Sequence, residues 1–198
     1  MSHLSWKMFD EIASTYDRVN RIISLGMDQK WRRQVAASLP VKKNLRILDL
    51  ATGTGDQLLS LFQYGPSISK ASGIDLSQEM LDIAKVKFAK TIYKDKTELL
   101  LADAQEIPFP DNTFDAVTCS FGIRNVPNPF KMLQEVYRVL KPQGKCLILE
   151  FSLPPYPLRS MYLIYLRHIL PRIGAFFSSS LQAYTYLNRT IESFPSGD

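Results

Sequence analysis

At 198 residues the chain is long enough to bury one core and too short for two comfortable ones. Its composition, 45% apolar and 22% charged, excludes a disordered chain, and no apolar run approaches the roughly 18 residues of a spanning helix. The net charge of +5 is too small to demand a nucleic-acid partner on its own. No N-terminal stretch reads as a secretory signal, so the cytoplasm is the expected compartment. Cys119 and Cys146 both sit in apolar, strand-like runs and read as buried thiols. His3 and His168 stand in no ligand spacing, so no metal site is expected.

In chain order, residues 5–38 read as two or three short helices. Five short aliphatic runs then read as strands: Arg46–Leu50, Ala71–Asp75, Glu98–Ala102, Phe114–Cys119 and Lys145–Phe151. The stretch "SQEMLDIAKVKFAK" carries Met80, Ile83, Ala84 and Phe88 on one helical face, with Ser77 as its cap. A second helix starts near Pro129, shows Met132, Leu133, Val136 and Leu140, and stops at Pro142 and Gly144. Strands alternating with such helices predict an α/β fold with a parallel sheet covered on both faces. After the fifth strand a proline-rich turn leads into a helix of large apolar residues, and from Phe151 to Ile191 there is no acidic residue.

The turn "ATGTGD" after the first strand decides what such a sheet would hold. A dinucleotide fingerprint needs a third glycine, but that place is Leu58, and no Gly-Lys-Ser/Thr follows for a triphosphate. What remains is Asp49 in the strand and glycines at 53 and 55. Twenty residues on, Asp75 ends the second strand, where a carboxylate can accept both hydroxyls of a ribose. Asp103 ends the third, where a carboxylate beside a backbone N–H can read an adenine edge. An acid for an amino-acid end, bare backbone at the centre, and acids for ribose and adenine together describe S-adenosylmethionine (Asp49, Gly53, Gly55, Asp75, Asp103).

The chain from about Phe9 onward resembles the C-methyltransferases of ubiquinone and menaquinone biosynthesis. The resemblance rests on "FDEIASTYDRVNRIISLGMDQKWRR", "PFPDNTFDAVTCSFGIRNV" and "YRVLKPQGKCLILEFS", followed by "LPRIG" and "YTYL". It implies a Rossmann-like class I methyltransferase fold and methylation of a ring carbon of a prenylated quinol, as in demethylmenaquinol to menaquinol. By the same resemblance, cofactor contacts fall on Thr54, Asp75, Asp103, Ala104 and Ser120. The usual Pro-Gly-Gly turn reads Pro142-Gln143-Gly144 here, with little effect expected. Family members continue with a further helix and an antiparallel strand pair, so the fifth strand is expected to leave an uncovered sheet edge.

Three parts are expected within one domain: an N-terminal helical cap (1–40), a cofactor-binding core (41–152) and substrate or lid helices (153–198). Carbon methylation needs a quinolate carbon held at roughly 3–3.5 Å from the methyl group and a stabilised oxyanion. Arg124 and Asn125, with Tyr16 and Asp17 from the N-terminal helices, are the catalytic candidates, Arg124 as a permanent cation. The lesser alternative for Arg124 is a structural ion pair. An apolar groove for the lipid tail is expected over 156–187, with Tyr162, Ile164, Tyr165, Phe176 and Phe177, and with peripheral membrane contact at most.

Other readings remain. "LPPY" at 153–156 resembles the base-holding loop of nucleic-acid methyltransferases, but it follows the wrong strand and Leu153 cannot bond an amino group, so no nucleic acid is expected. A methyltransferase for another small molecule, or an inactive cofactor-binding module, would share the same turn.

Overall fold

The computed structural model describes residues 5–24, 26–153, 155–169, 186 and 189–194. Two helices lead: α1 (Ser5–Ile23) and α2 (Met27–Ala37). Then β1 (Leu45–Leu50), α3 (Asp56–Tyr64), β2 (Ile68–Asp75), α4 (Gln78–Ala89), β3 (Thr97–Leu101) and β4 (Phe114–Ser120) alternate. They are followed by α5 (Pro129–Val139), β5 (Leu140–Leu149) and α6 (Leu158–Ile164). The strands form one wholly parallel sheet in the order β3-β2-β1-β4-β5.

The sheet sorts its side chains by alternation. Leu48, Leu50, Val117 and Cys119 face Met132 and Val136 of α5. Leu45, Ile47 and Ala116 face the other way, onto Ala36 of α2, Leu58 and Leu61 of α3 and Phe88 of α4. Both faces are therefore covered, as a parallel sheet requires. Strand order reverses at β1, so the carboxyl ends of β1, β2 and β4 open onto a shared crevice, the usual ligand position in such sheets.

Local signals explain most boundaries. Ser77 caps α4 through the Met80 N–H at 3.1 Å, and Asn128 caps α5 through Lys131 N–H at 3.1 Å with Pro129 in the first turn. Two expectations are corrected. First, α5 ends at Val139, and β5 begins at Leu140 rather than at Lys145. The pairing jumps from Phe114↔Leu140 to Ala116↔Lys145, so the Pro142-Gln143-Gly144 turn is a bulge inside the strand, with Gln143 at φ 65. Second, Cys146 is exposed while Cys119 is buried, because among the described residues β5 is a sheet edge.

In the expected tail groove, Tyr162 and Tyr165 pack in a small cluster with Phe151, Leu153 and Ile191, whereas Ile164 is exposed. Phe176 and Phe177 lie outside the described residues. Among the described residues no helix is long and apolar enough to cross a membrane.

Candidate functional site

The turn after β1 is built from left-handed backbone: Ala51 at φ 49, Gly53 at φ 55 and Gly55 at φ 83. Such angles favour glycine, and at Gly55 a side chain would also meet the Phe88 ring at 2.8 Å. The turn is pinned to β2 by Thr52 N–H donating to Ile74 O at 3.0 Å. Beneath it lies Asp49, whose two oxygens accept the hydroxyls of Thr52 at 2.7 Å and Thr118 at 2.5 Å. Thr118 is its direct neighbour across the β1–β4 pairing. Only 1% of Asp49 is exposed, and burial pushes its carboxyl up to about 6 against the pull of those hydroxyls and of Arg32. Asp49 thus supports the turn from below instead of facing a ligand, which corrects the expectation that it grips the amino-acid end directly.

Above the turn is a cavity of about 420 Å³. Gly53, Asp75, Asp103, Ala104 and Ser120, all expected from sequence, line it together. One oxygen of Asp75 accepts Gly53 N–H at 2.7 Å and the other Ser77 N–H at 2.9 Å. Burial raises this carboxyl, and those N–H bonds oppose the rise. The carboxylate keeps acceptor capacity for an incoming hydroxyl. Asp103 accepts Gln105 N–H at 2.8 Å, and Ser120 donates to Gln57 Oε1 at 2.9 Å. Leu76, Met80 and Phe121 supply apolar wall between these polar points.

The opposite wall comes from α1, which presents Phe9 and Tyr16. Burial pushes the Tyr16 phenol up, while Arg124, Asn20 and Arg32 draw it back. Asp17 and Thr54 do not line the cavity. Thr54 donates to Asp17 Oδ1 at 2.6 Å, and Lys87 Nζ bridges Asp17 at 2.9 Å, Thr54 at 3.2 Å and Asp56 at 2.5 Å. Asp17 therefore clamps α1 onto the glycine turn. Lys87, which completes the clamp, was hidden among the exposed-looking lysines of its helix.

A family model described as the ubiE/COQ5 methyltransferase family matches residues 3–198. The chain belongs to that family. A ubiquinone/menaquinone biosynthesis C-methyltransferase of Geotalea daltonii is 44% identical over 193 residues, covering 97% of this chain and 82% of the relative. A demethylmenaquinone methyltransferase of Clavibacter sepedonicus is 43% identical over 189 residues, covering 95% of this chain and 75% of that one. The crystal structure of an S-adenosylmethionine-dependent methyltransferase from Aquifex aeolicus superposes with a TM-score of 0.56 at 25% identity, covering 71% of this chain and 75% of that one.

In this ubiE/COQ5 family member the turn past β4, residues 121–126, separates the two remaining candidates. Asn125 lines the cavity and its Oδ1 accepts the Tyr186 hydroxyl at 3.1 Å. Tyr186, missed from sequence although "YTYL" contains it, meets Phe9 edge-on at 6.5 Å, and Phe9 meets Tyr16 likewise at 6.0 Å. Arg124 does not line the cavity. Its guanidinium is paired with Glu150 and donates to Phe121 O at 2.8 Å, with side-chain exposures of 5% and 6% for the pair. The Phe151 ring lies 5.5 Å from it. The expectation of a free cation beside the substrate is corrected, because the end of β5 brings a carboxylate to it. Among the described residues no three His, Cys, Asp or Glu side chains gather to hold a metal ion.

Proposed function

We propose that this family member methylates a ring carbon of a prenylated quinol with S-adenosylmethionine, as in demethylmenaquinol to menaquinol. The observation that carries the reading is the sharing of one cavity by Asp75, Asp103 and the bare Gly53 backbone, with Tyr16 and Asn125 across from them. These residues fit the cofactor: Asp75 would hold the ribose hydroxyls, Asp103 and Ala104 the adenine edge, and Gly53 leaves room at the centre. Thr54 and Gly55 would act through the shape of the turn, and Asp49 through the negative charge beneath it. When bound, the cofactor supplies an electrophilic methyl group on a sulfonium sulfur.

The chain's own part is orientation and charge. Tyr16 O–H and the Asn125 amide N–H can donate to the quinolate oxygen and stabilise the anion, whose charge resonance shares with the neighbouring ring carbon. Phe9, Phe121 and Val126 exclude water and hold the ring flat against the cavity wall. The quinol hydroxyl would give up one proton to solvent to form the quinolate, and the ring proton displaced by the new carbon–carbon bond would restore that hydroxyl, so that one proton is lost in all. Arg124 supports this from behind: burial pushes the Tyr16 phenol up, and the Arg124 charge opposes that rise while Glu150 fixes its place.

We place residues 1–40 as a cap, 41–152 as the cofactor core and 153–198 as lid helices of one domain. Exposed Leu158, Met161 and Ile164 on α6 support a peripheral membrane contact where the lipid tail would leave. The reading is tested by incubating the protein with methyl-labelled cofactor and the reduced naphthoquinol and benzoquinol precursors. A lipid carrying one added ring methyl is expected; cofactor binding without product from either ring would favour another small-molecule acceptor.

A further inference from the structure

A second cleft, of about 120 Å³, lies where α1, α2 and α3 converge, and it shares no lining residue with the cofactor cavity. Arg21 of α1, Arg32 and Arg33 of α2, and Ser60 of α3 line it together. Asp56 is the one acidic residue among the residues lining it, and that carboxylate already pairs with Lys87 at 2.5 Å and Arg21 at 3.6 Å. Among the described residues no carboxylate stands within ion-pair distance of Arg32 or Arg33. The cleft is therefore electropositive by more than one charge.

Its polar atoms are also underused. Ser60 is only 7% exposed, yet its hydroxyl has no hydrogen-bond partner among the described residues. The Nε atoms of Arg21 and Arg32 make no hydrogen bond either, although Arg21 stands 3.4 Å from Asp28. A buried hydroxyl without a protein partner is rare, and here it leaves a donor facing the cleft for an incoming acceptor. The arginines are held in place rather than floating: Arg33 lies 4.5 Å over the Tyr64 ring and Arg32 5.2 Å over Phe121. Forked donors fixed on separate helices, plus one hydroxyl, match an anion with several acceptor oxygens better than a two-oxygen carboxylate.

We propose that the cleft formed by Arg21, Arg32, Arg33 and Ser60 binds a phosphate group, either free or as a lipid-headgroup diester. Occupancy would tie α1 and α2 to α3, and Arg32 would carry the effect to Phe121 on the cofactor wall.

The test titrates inorganic phosphate into the full chain by calorimetry, in chloride buffer of matched ionic strength. Arg33→Gln and Ser60→Ala, both outside the cofactor cavity, are run beside it. Saturable single-site binding is expected, weakened about tenfold or more by Arg33→Gln, with S-adenosylmethionine affinity retained. Flotation with phosphatidylglycerol vesicles separates the sources: retention that free phosphate competes away identifies the lipid diester, and phosphate binding without retention identifies a small phosphate. No phosphate binding, or equal binding by both variants, overturns the proposal; phosphate binding beside vesicle retention that phosphate leaves untouched assigns the retention to the apolar face of α6 and the cleft to a small phosphate.

Discussion

The hydroxyl of Thr54, inside the glycine turn, donates to Asp17 on the N-terminal helix at 2.6 Å, and Lys87 closes the contact from a third element. The helix that carries Phe9 and Tyr16 is thus fastened to the cofactor turn by a polar clamp, and Ala13 is buried beside it. Lys87→Met should loosen the clamp at a cost of roughly 1 kcal/mol, a modest figure because Lys87 and Asp17 are 24% and 33% exposed. The expected result is a several-fold weaker cofactor affinity and faster amide exchange in α1, both checked on the same sample. Unchanged exchange in α1 would remove the clamp from the account.

Arg124 and Glu150 form a buried pair, and removing one partner strands the other. Glu150→Gln should therefore destabilise the fold by about 3 kcal/mol, a fall of roughly 6–12 °C in the thermal midpoint of a chain this size. Scanning calorimetry checks it. Arg124→Ala should lower both the midpoint and turnover, so its loss of activity must be measured below the variant's own melting range.

Asp49 sets a pH dependence. Its carboxyl lies at about 6 in the fold against an ordinary 3.8, so the folded chain holds that proton more tightly than the unfolded one. The contribution is fully present below 3.8 and is lost as pH rises through about 6, worth about 3 kcal/mol across the window. Urea midpoints measured between these values should fall with rising pH for this residue, and Asp49→Asn should flatten that part of the profile. Parallel profiles for the two proteins would contradict the assignment.

Much of this was readable in the residues, and the exceptions share a cause. Ser77 and Asn128 announce their helices by local bonds, and the acids at 75 and 103 are found by counting from strand ends. The helix Asp56–Tyr64 was not anticipated, because its cap is a left-handed Gly55 with no side-chain bond and its nine residues are too few for a clear period. Glu150 beside Arg124, Asp17 beside Lys87, and Asp49 beneath its turn depend on which strands and helices become neighbours. Residue spacing along one chain carries no trace of that.

Cofactor binding by Asp75 is the central claim, and isothermal titration of S-adenosylmethionine into the protein and into Asp75→Ala tests it most directly. One site is expected, with affinity reduced about tenfold to a hundredfold in the variant through loss of charge-assisted bonds to the ribose. Equal affinity in the two proteins, or uptake of NADH with the sulfonium donor ignored, would contradict it.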